Sequence, residues 1–157
     1  MYVYVKIFNN MMNNVDWDKR FYEHAIGIST WSKDRNTGVG CVIVNDDKRI
    51  VSIGYNGFCQ GFNDDLDSRH ERPDKYAYTV HAEANAICSA VRSGYALNNC
   101  ILYVTLFPCH ECAKLIIQSG IKTIYAPKPD LVHNTWGQSF KYAIEMLNEC
   151  GVIINYI

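Results

Sequence analysis

His81 and Glu83 in the segment HAE, and Cys109 and Cys112 in PCHEC, have the types and spacing for hydrolysis assisted by a metal. The two cysteines stand at i and i+3 where a helix is expected to begin, so both sulfurs lie on one side, and the positive end of a helix dipole favours thiolates. His81 stands likewise at the opening turn of an expected helix. One imidazole and two thiolates leave the fourth tetrahedral position of a zinc ion for water, the arrangement of a catalytic rather than a structural site. Two thiolates also neutralise the dication. A water so bound ionises near neutral pH, and Glu83 is the carboxylate available to hold its proton. A structural zinc site, or buried cysteines without metal, are the plainer alternatives; the upstream HAE favours the catalytic reading.

The elements that must position these residues can be read from periodicity and punctuation. Asp16 precedes Trp17, Phe21, Ala25, Ile28 and Trp31, an apolar stripe behind an N-cap, which predicts a helix over Asp16 to Ser32. GVGCVIVN and RIVSIGYN, separated by Asp46, Asp47 and Lys48, predict an antiparallel hairpin. Residues Gly57 to Tyr76 have little periodicity and many Gly, Asp, Asn and Arg, so they form a long candidate binding loop. A second helix runs from Val80 to a stop at Gly94, a strand covers Cys100–Leu106, and a third helix follows Pro108 and ends at Gly120. Ile121–Ala126 is a strand, Trp136–Glu149 a last helix stopped by Gly151, and VIINYI a closing strand. The order α-β-β-α-β-α-β-α-β implies parallel crossovers beside an antiparallel hairpin. The expected fold is therefore α/β, a three-layer α/β/α sandwich around a mixed sheet.

Length and composition bound the function further. The chain has 157 residues, which suits a single domain over 1–157, and a core of its own needs no disulfide support at that size. With 15 Lys+Arg against 16 Asp+Glu the net charge is −1, and the two signs are interspersed, which argues against polymeric nucleic acid as partner. Seven cysteines, an odd number with one close pair, do not make a disulfide framework. The opening MYVYVKIFNNMMNN lacks the pattern of a signal peptide, and no stretch is apolar enough to span a membrane. The expectation is a reduced, soluble, cytoplasmic protein.

The stretches SKDRNTGVGCVIV, IGYNGFCQGFNDD, YAYTVHAEANAI and LYVTLFPCHECAKLIIQSGIK resemble the deoxycytidylate (dCMP) deaminases of the cytidine deaminase superfamily, from about Trp31 to Gly151. The resemblance implies a cytidine deaminase-like fold with a five-stranded mixed sheet, and zinc held by His81, Cys109 and Cys112. It implies that Glu83 shuttles protons in the hydrolysis of dCMP to dUMP and ammonia, supplying dUMP for thymidylate synthesis. Asn36 would reach the deoxyribose and the backbone around Ala82 the base. The family resemblance further implies a homohexamer, activated by dCTP with Mg2+ and inhibited by dTTP, whose effector site takes in Gly54, Tyr55, Asn56, Gly57, Asp64 and Asp65.

Other features admit two readings each. Tyr125, at the end of a strand, is a candidate substrate contact or a packing residue. Asn56-Gly57 is also a common two-residue turn signal that needs no ligand. Arg69, Arg72 and Lys75 of the long loop would meet phosphate or form a solvated face. Cys41, Cys88, Cys100 and Cys150 are expected as small core residues, and Cys59 with His70 lacks the close spacing of a second metal site. Because the zinc machinery is shared, cytidine, dCTP and tRNA-adenosine deamination are rivals, as is an enzyme accepting both dCMP and dCTP. A non-catalytic zinc- or nucleotide-binding module is the rival from outside enzymes, and it has no use for Glu83.

Overall fold

In the computed structural model the described residues are 16–157; the reading of the first fourteen residues as no signal peptide lies outside them. Helix α1 (Trp17–Ser29) begins where Asp16 accepts the Lys19 N–H at 3.0 Å, and its buried face is Phe21, Ala25 and Ile28. Trp17 and Trp31, at the ends of that stripe, are exposed. Strands β1 (Gly40–Val44) and β2 (Ile50–Tyr55) form the predicted antiparallel hairpin, with a bulge between Ile43 and Val44.

The long loop carries structure of its own: β3 (Gly57–Phe58), a 3-10 turn at Asp67–His70, α2 (Lys75–Tyr78) and β4 (Thr79–Val80), which pairs with β3. Asn56-Gly57 is thus no hairpin turn; it links β2 to β3. Then follow α3 (Ala82–Arg92), β5 (Ile101–Val104), α4 (His110–Gln118), β6 (Thr123–Ala126), α5 (Gly137–Glu149) and β7 (Ile153–Tyr156).

The main sheet has the order β2-β1-β5-β6-β7, antiparallel at β2/β1 and β1/β5, parallel at β5/β6 and β6/β7. Every residue of β1 is buried because both faces of the sheet are covered, as the alternation of a strand requires. Cys41 and Ile43 join the core beneath α3, α4 and α5, whereas Val42 and Val44 face α1. One helix on one face and three on the other make the expected three-layer sandwich.

Gly40 and Gly54 let the two layers close on the hairpin. A Cβ at Gly40 would stand 2.0 Å from the Ala25 carbonyl oxygen, and one at Gly54 would stand 2.3 Å from the Ala82 oxygen and 2.4 Å from the Ala86 nitrogen. Those neighbours are helix backbone and cannot swing aside. Ser52 adds a bond from its hydroxyl to the Ala86 carbonyl at 2.6 Å, so α3 is seated on β2 at a fixed height.

Gly54→Ala should therefore push α3 off the sheet and lower stability by about 1–3 kcal/mol, read by chemical denaturation. Gly57→Ala, where an added Cβ meets only Tyr55 Cε2 at 3.9 Å, is the control expected to stay close to wild type.

Candidate functional site

The antiparallel register of β1 with β5 opposes Cys41 to Val104, which brings the entry to β1 beside the exit from β5. Gly40 and Thr105 close that end: the Gly40 N–H donates to Thr105 Oγ1 at 3.0 Å, and the Thr105 N–H donates to the Gly40 carbonyl at 3.1 Å. The chain then enters α4 with Cys109 as N-cap, while His81 is the N-cap of α3. Two helix N-termini therefore converge at one end of the sheet, and their side chains meet.

His81 Nδ1 lies 3.4 Å from Cys109 Sγ and 3.5 Å from Cys112 Sγ. Ligands at about 2.0–2.1 Å (N) and 2.3 Å (S) from a tetrahedral zinc stand roughly 3.5 Å apart, so the imidazole and both sulfurs are spaced for that ion. Among the described residues this is the one cluster of three metal-ligating side chains with mutual reach. Cys59 is exposed, and His70 is engaged otherwise, its Nε2 against the Asp64 carbonyl at 2.7 Å and its ring against Phe58. His110, between the two cysteines, turns outward to Ser139 Oγ at 2.8 Å.

The charges of the cluster are poised for a cation. The Cys112 hydrogen bond and the adjacent His81 hold the Cys109 thiol well below its ordinary range, against the opposing cost of burial. Its bond to Cys109, together with burial and Glu83, drives Cys112 far up. Two adjacent buried thiolates repel one another unless a metal lies between them. Glu83 is 4% exposed, and burial is the main cause that raises its carboxyl to about 7, with the Cys109 charge adding and its own backbone amide and His81 opposing. Such a carboxyl can both accept and release a proton near neutrality.

A cavity of about 120 Å³ opens onto His81, Ala82, Glu83 and Cys109. Phe107, Trp136 and Phe140 give it apolar walls; Arg72 and Tyr76 stand at its rim, and Asp34, Thr37 and Asn56 close another side. The Trp136 ring meets His81 edge-on at 6.1 Å and Tyr76 at 6.2 Å. Asn36 is exposed and lies beside the cavity rather than in its wall: its N–H donates to Asp34 Oδ1 at 2.8 Å, and its neighbour Thr37 is the lining residue. Ala82 lies in the wall as expected.

A second, larger cavity of about 600 Å³ lies on the other side of Asp34 and Lys75 and takes in Gly54, Tyr55, Gly57 and Asp64, with Lys33, Arg35 and Trp31. Two residues grouped with these in the sequence stand elsewhere. Asn56 is buried on the metal side, where its Oδ1 accepts the Val39 N–H at 2.7 Å and its Nδ2 donates to the Thr37 carbonyl at 2.9 Å. Asp65 is outside the wall of either cavity. The cations of the larger cavity are matched by acids: Lys33 with Asp64 at 2.7 Å, Arg35 with Asp67, and Lys75 with Asp34 at 2.8 Å.

Tyr125 does not reach either cavity. Its hydroxyl donates to Asp18 Oδ2 at 2.8 Å, that of Tyr103 donates to Asp18 Oδ1 at 2.6 Å, and the two rings stack at 4.9 Å on the α1 face of the sheet. Register explains it: Tyr103 and Tyr125 are paired across β5 and β6, so both point to the face opposite the metal cluster. Cys88 and Cys150 are exposed rather than core residues, while Cys41 and Cys100 are buried as expected. Asp34, Tyr76, Trp136 and Phe140 line the metal-side cavity without a motif to mark them; the aromatic Tyr76 at the end of a polar loop was the available signal.

Residues 15–127 match the cytidine and deoxycytidylate deaminase zinc-binding region. The chain is 41% identical over 143 residues to an uncharacterized deaminase from the luxG 3' region of Aliivibrio fischeri, covering 90% of this chain and 93% of that protein. It is 43% identical over 115 residues to the deoxycytidylate deaminase of Homo sapiens, covering 70% of this chain and 64% of the human one. Among solved structures, the dCMP deaminase of cyanophage S-TIM5 in complex with dCMP and dUMP superposes with a TM-score of 0.72 at 25% identity, over 88% of this chain and 95% of that one.

Purified wild-type protein should carry stoichiometric zinc by elemental analysis, and Cys109→Ser and Cys112→Ser should each lose it together with thermal stability. Zinc retained in both variants would break the ligand assignment.

Proposed function

The chain belongs to the cytidine and deoxycytidylate deaminase family, and from that premise we propose that it hydrolyses dCMP to dUMP and ammonia. The observation that carries this reading is the buried Glu83 carboxyl beside the His81, Cys109 and Cys112 cluster in the wall of one cavity. A zinc ion in that cluster supplies Lewis acidity toward water.

The protein's own groups do the rest. Phe107, Trp136 and Phe140 take the flat base and exclude bulk solvent from it. Glu83, with its acidity set near neutrality by burial, removes a proton from the attacking water and delivers it to N3 of cytosine. The water oxygen bonds to C4. Glu83 then passes the second water proton to the C4 amino group, the C4–N bond breaks, and ammonia leaves with uracil carrying the new oxygen and the N3 proton.

The preference for dCMP over cytidine or dCTP is supported by the human and cyanophage relatives, which are named for that substrate. We extend the reading to regulation and assembly. The 600 Å³ cavity, with Gly54, Tyr55, Gly57 and Asp64 in its wall and Lys33 and Arg35 beside them, is the effector site for dCTP with Mg2+ and for dTTP, in a homohexamer. A triphosphate there would take over cations that now pair with Asp64 and Asp67. The seven cysteines, none in a disulfide, suit a cytoplasmic enzyme.

Ammonia release from dCMP, deoxycytidine and dCTP should be fastest with dCMP. Glu83→Gln should keep its zinc yet lose turnover by about 10²- to 10⁴-fold; wild-type rates in that folded variant would remove Glu83 from the mechanism. Added dCTP should raise and dTTP lower dCMP turnover, with Lys33→Ala blunting both, and light scattering should give the mass of a hexamer. Indifference to both triphosphates would leave the larger cavity without its assigned ligand.

A further inference from the structure

We infer that Arg72 is the residue that reads the 5'-phosphate of the substrate and so separates a mononucleotide from a nucleoside. The inference rests on the dCMP reading of the site and deepens it.

The charges around the metal-side cavity leave one candidate. Its wall holds two long cationic side chains, Arg72 and Lys75. Lys75 is buried and already matched: its Nζ donates to both oxygens of Asp34, at 2.8 and 3.1 Å. Burial by itself would push the Asp34 carboxyl up, but the bond from Lys75 and the N–H groups of Asn36 and Thr37 outweigh it and hold Asp34 below the usual carboxylate range. Held bidentately by Asp34, the Lys75 ammonium is compensated and is not free for a dianion. Arg72 is exposed at the rim and, among the described residues, has no acidic partner.

Its placement also fits. The Arg72 guanidinium lies 5.8 Å from the centre of the Tyr76 ring; Tyr76 meets Trp136 at 6.2 Å, and Trp136 meets His81 at 6.1 Å. One continuous wall therefore leads from the metal ligand, where the reacting ring must sit, out to an uncommitted guanidinium, where the phosphate of the same molecule emerges. Packing against Tyr76 orients the guanidinium without consuming its donors, which leaves the planar fork for bidentate contact with phosphate oxygens. Leaving the phosphate at the rim also spares its desolvation.

The test compares kcat/KM for dCMP and for deoxycytidine in zinc-loaded wild type, Arg72→Ala and Arg72→Lys, with zinc content and melting temperature as folding controls. The ratio of the two kcat/KM values should fall about 10- to 100-fold in Arg72→Ala, as expected for loss of a hydrogen-bonded charge contact, and Arg72→Lys should restore part of it. The KM for dCMP should rise with salt in wild type and lose most of that dependence in Arg72→Ala. An unchanged ratio, or equal losses on both substrates, would overturn the assignment. A wild type with no preference for dCMP would instead overturn the substrate reading on which the assignment stands.

Discussion

An imidazole and two sulfurs from distant parts of the chain must meet within about one tetrahedral edge, and most of the structure around the site is arranged by that requirement. Cys109 and Cys112 come from one helix start and His81 from another, so the two N-termini have to converge. Each is aimed by a strand: α4 by the exit from β5, and α3 by its seat on β2, where Gly54 lacks the Cβ that would collide with the helix backbone. A shift of α3 by the width of one methyl group would carry His81 out of reach of the sulfurs. Glu83, two residues further along the chain, shares that positioning, so the His81 imidazole and the buried carboxyl move together.

Converging helix ends also set the electrostatics. The site gathers two sulfurs, a buried carboxyl and an imidazole, a set that repels itself in part and is relieved by a dication. Close by, Asp34 and Lys75 form a buried pair that stands in the walls of both cavities. Buried pairs give little net stability, since desolvation offsets attraction. The placement of this one matters more: Asp34 gathers the Asn36 and Thr37 N–H groups, Asn56 ties Thr37 and Val39 to β2, and the segment before β1 is thereby held as a partition. Filling either cavity would press on the same few groups.

How much of this was legible in the sequence follows from the range of the interactions. The apolar stripe behind Asp16, the β-branched hairpin and the helices stopped at Gly94, Gly120 and Gly151 are local patterns, and the elements formed where they indicated. The metal cluster was legible because its spacing is local within each helix start, although nothing local says that the two starts meet. Tyr125 was misplaced by one bit of information, the face of the strand, which is set by register with Tyr103 and not by its own neighbours. Asn56 was grouped with Gly54, Tyr55 and Gly57 by adjacency, yet its amide turns to the opposite cavity because Val39 and Thr37 need its two hydrogen bonds. In the same way the irregular stretch after Gly57 hid a short sheet, whose two-residue strands are too brief to show a period.

A division of labour follows. His81, Glu83, Cys109 and Cys112 sit at the starts of regular helices, which other packing already holds rigid, and a short motif can specify them. The groups at the outer part of the cavity, Arg72 and Tyr76 from the loop region and Trp136 from the start of α5, come from two distant places in the sequence with no common spacing. Loops tolerate substitution at little cost to the core. Relatives with the same metal machinery can therefore differ in what they admit. On the dCMP reading proposed above, the choice between a nucleoside and a mononucleotide falls to the uncompensated charge of Arg72 at the rim, because the apolar walls of Phe107, Trp136 and Phe140 have nothing to offer a phosphate.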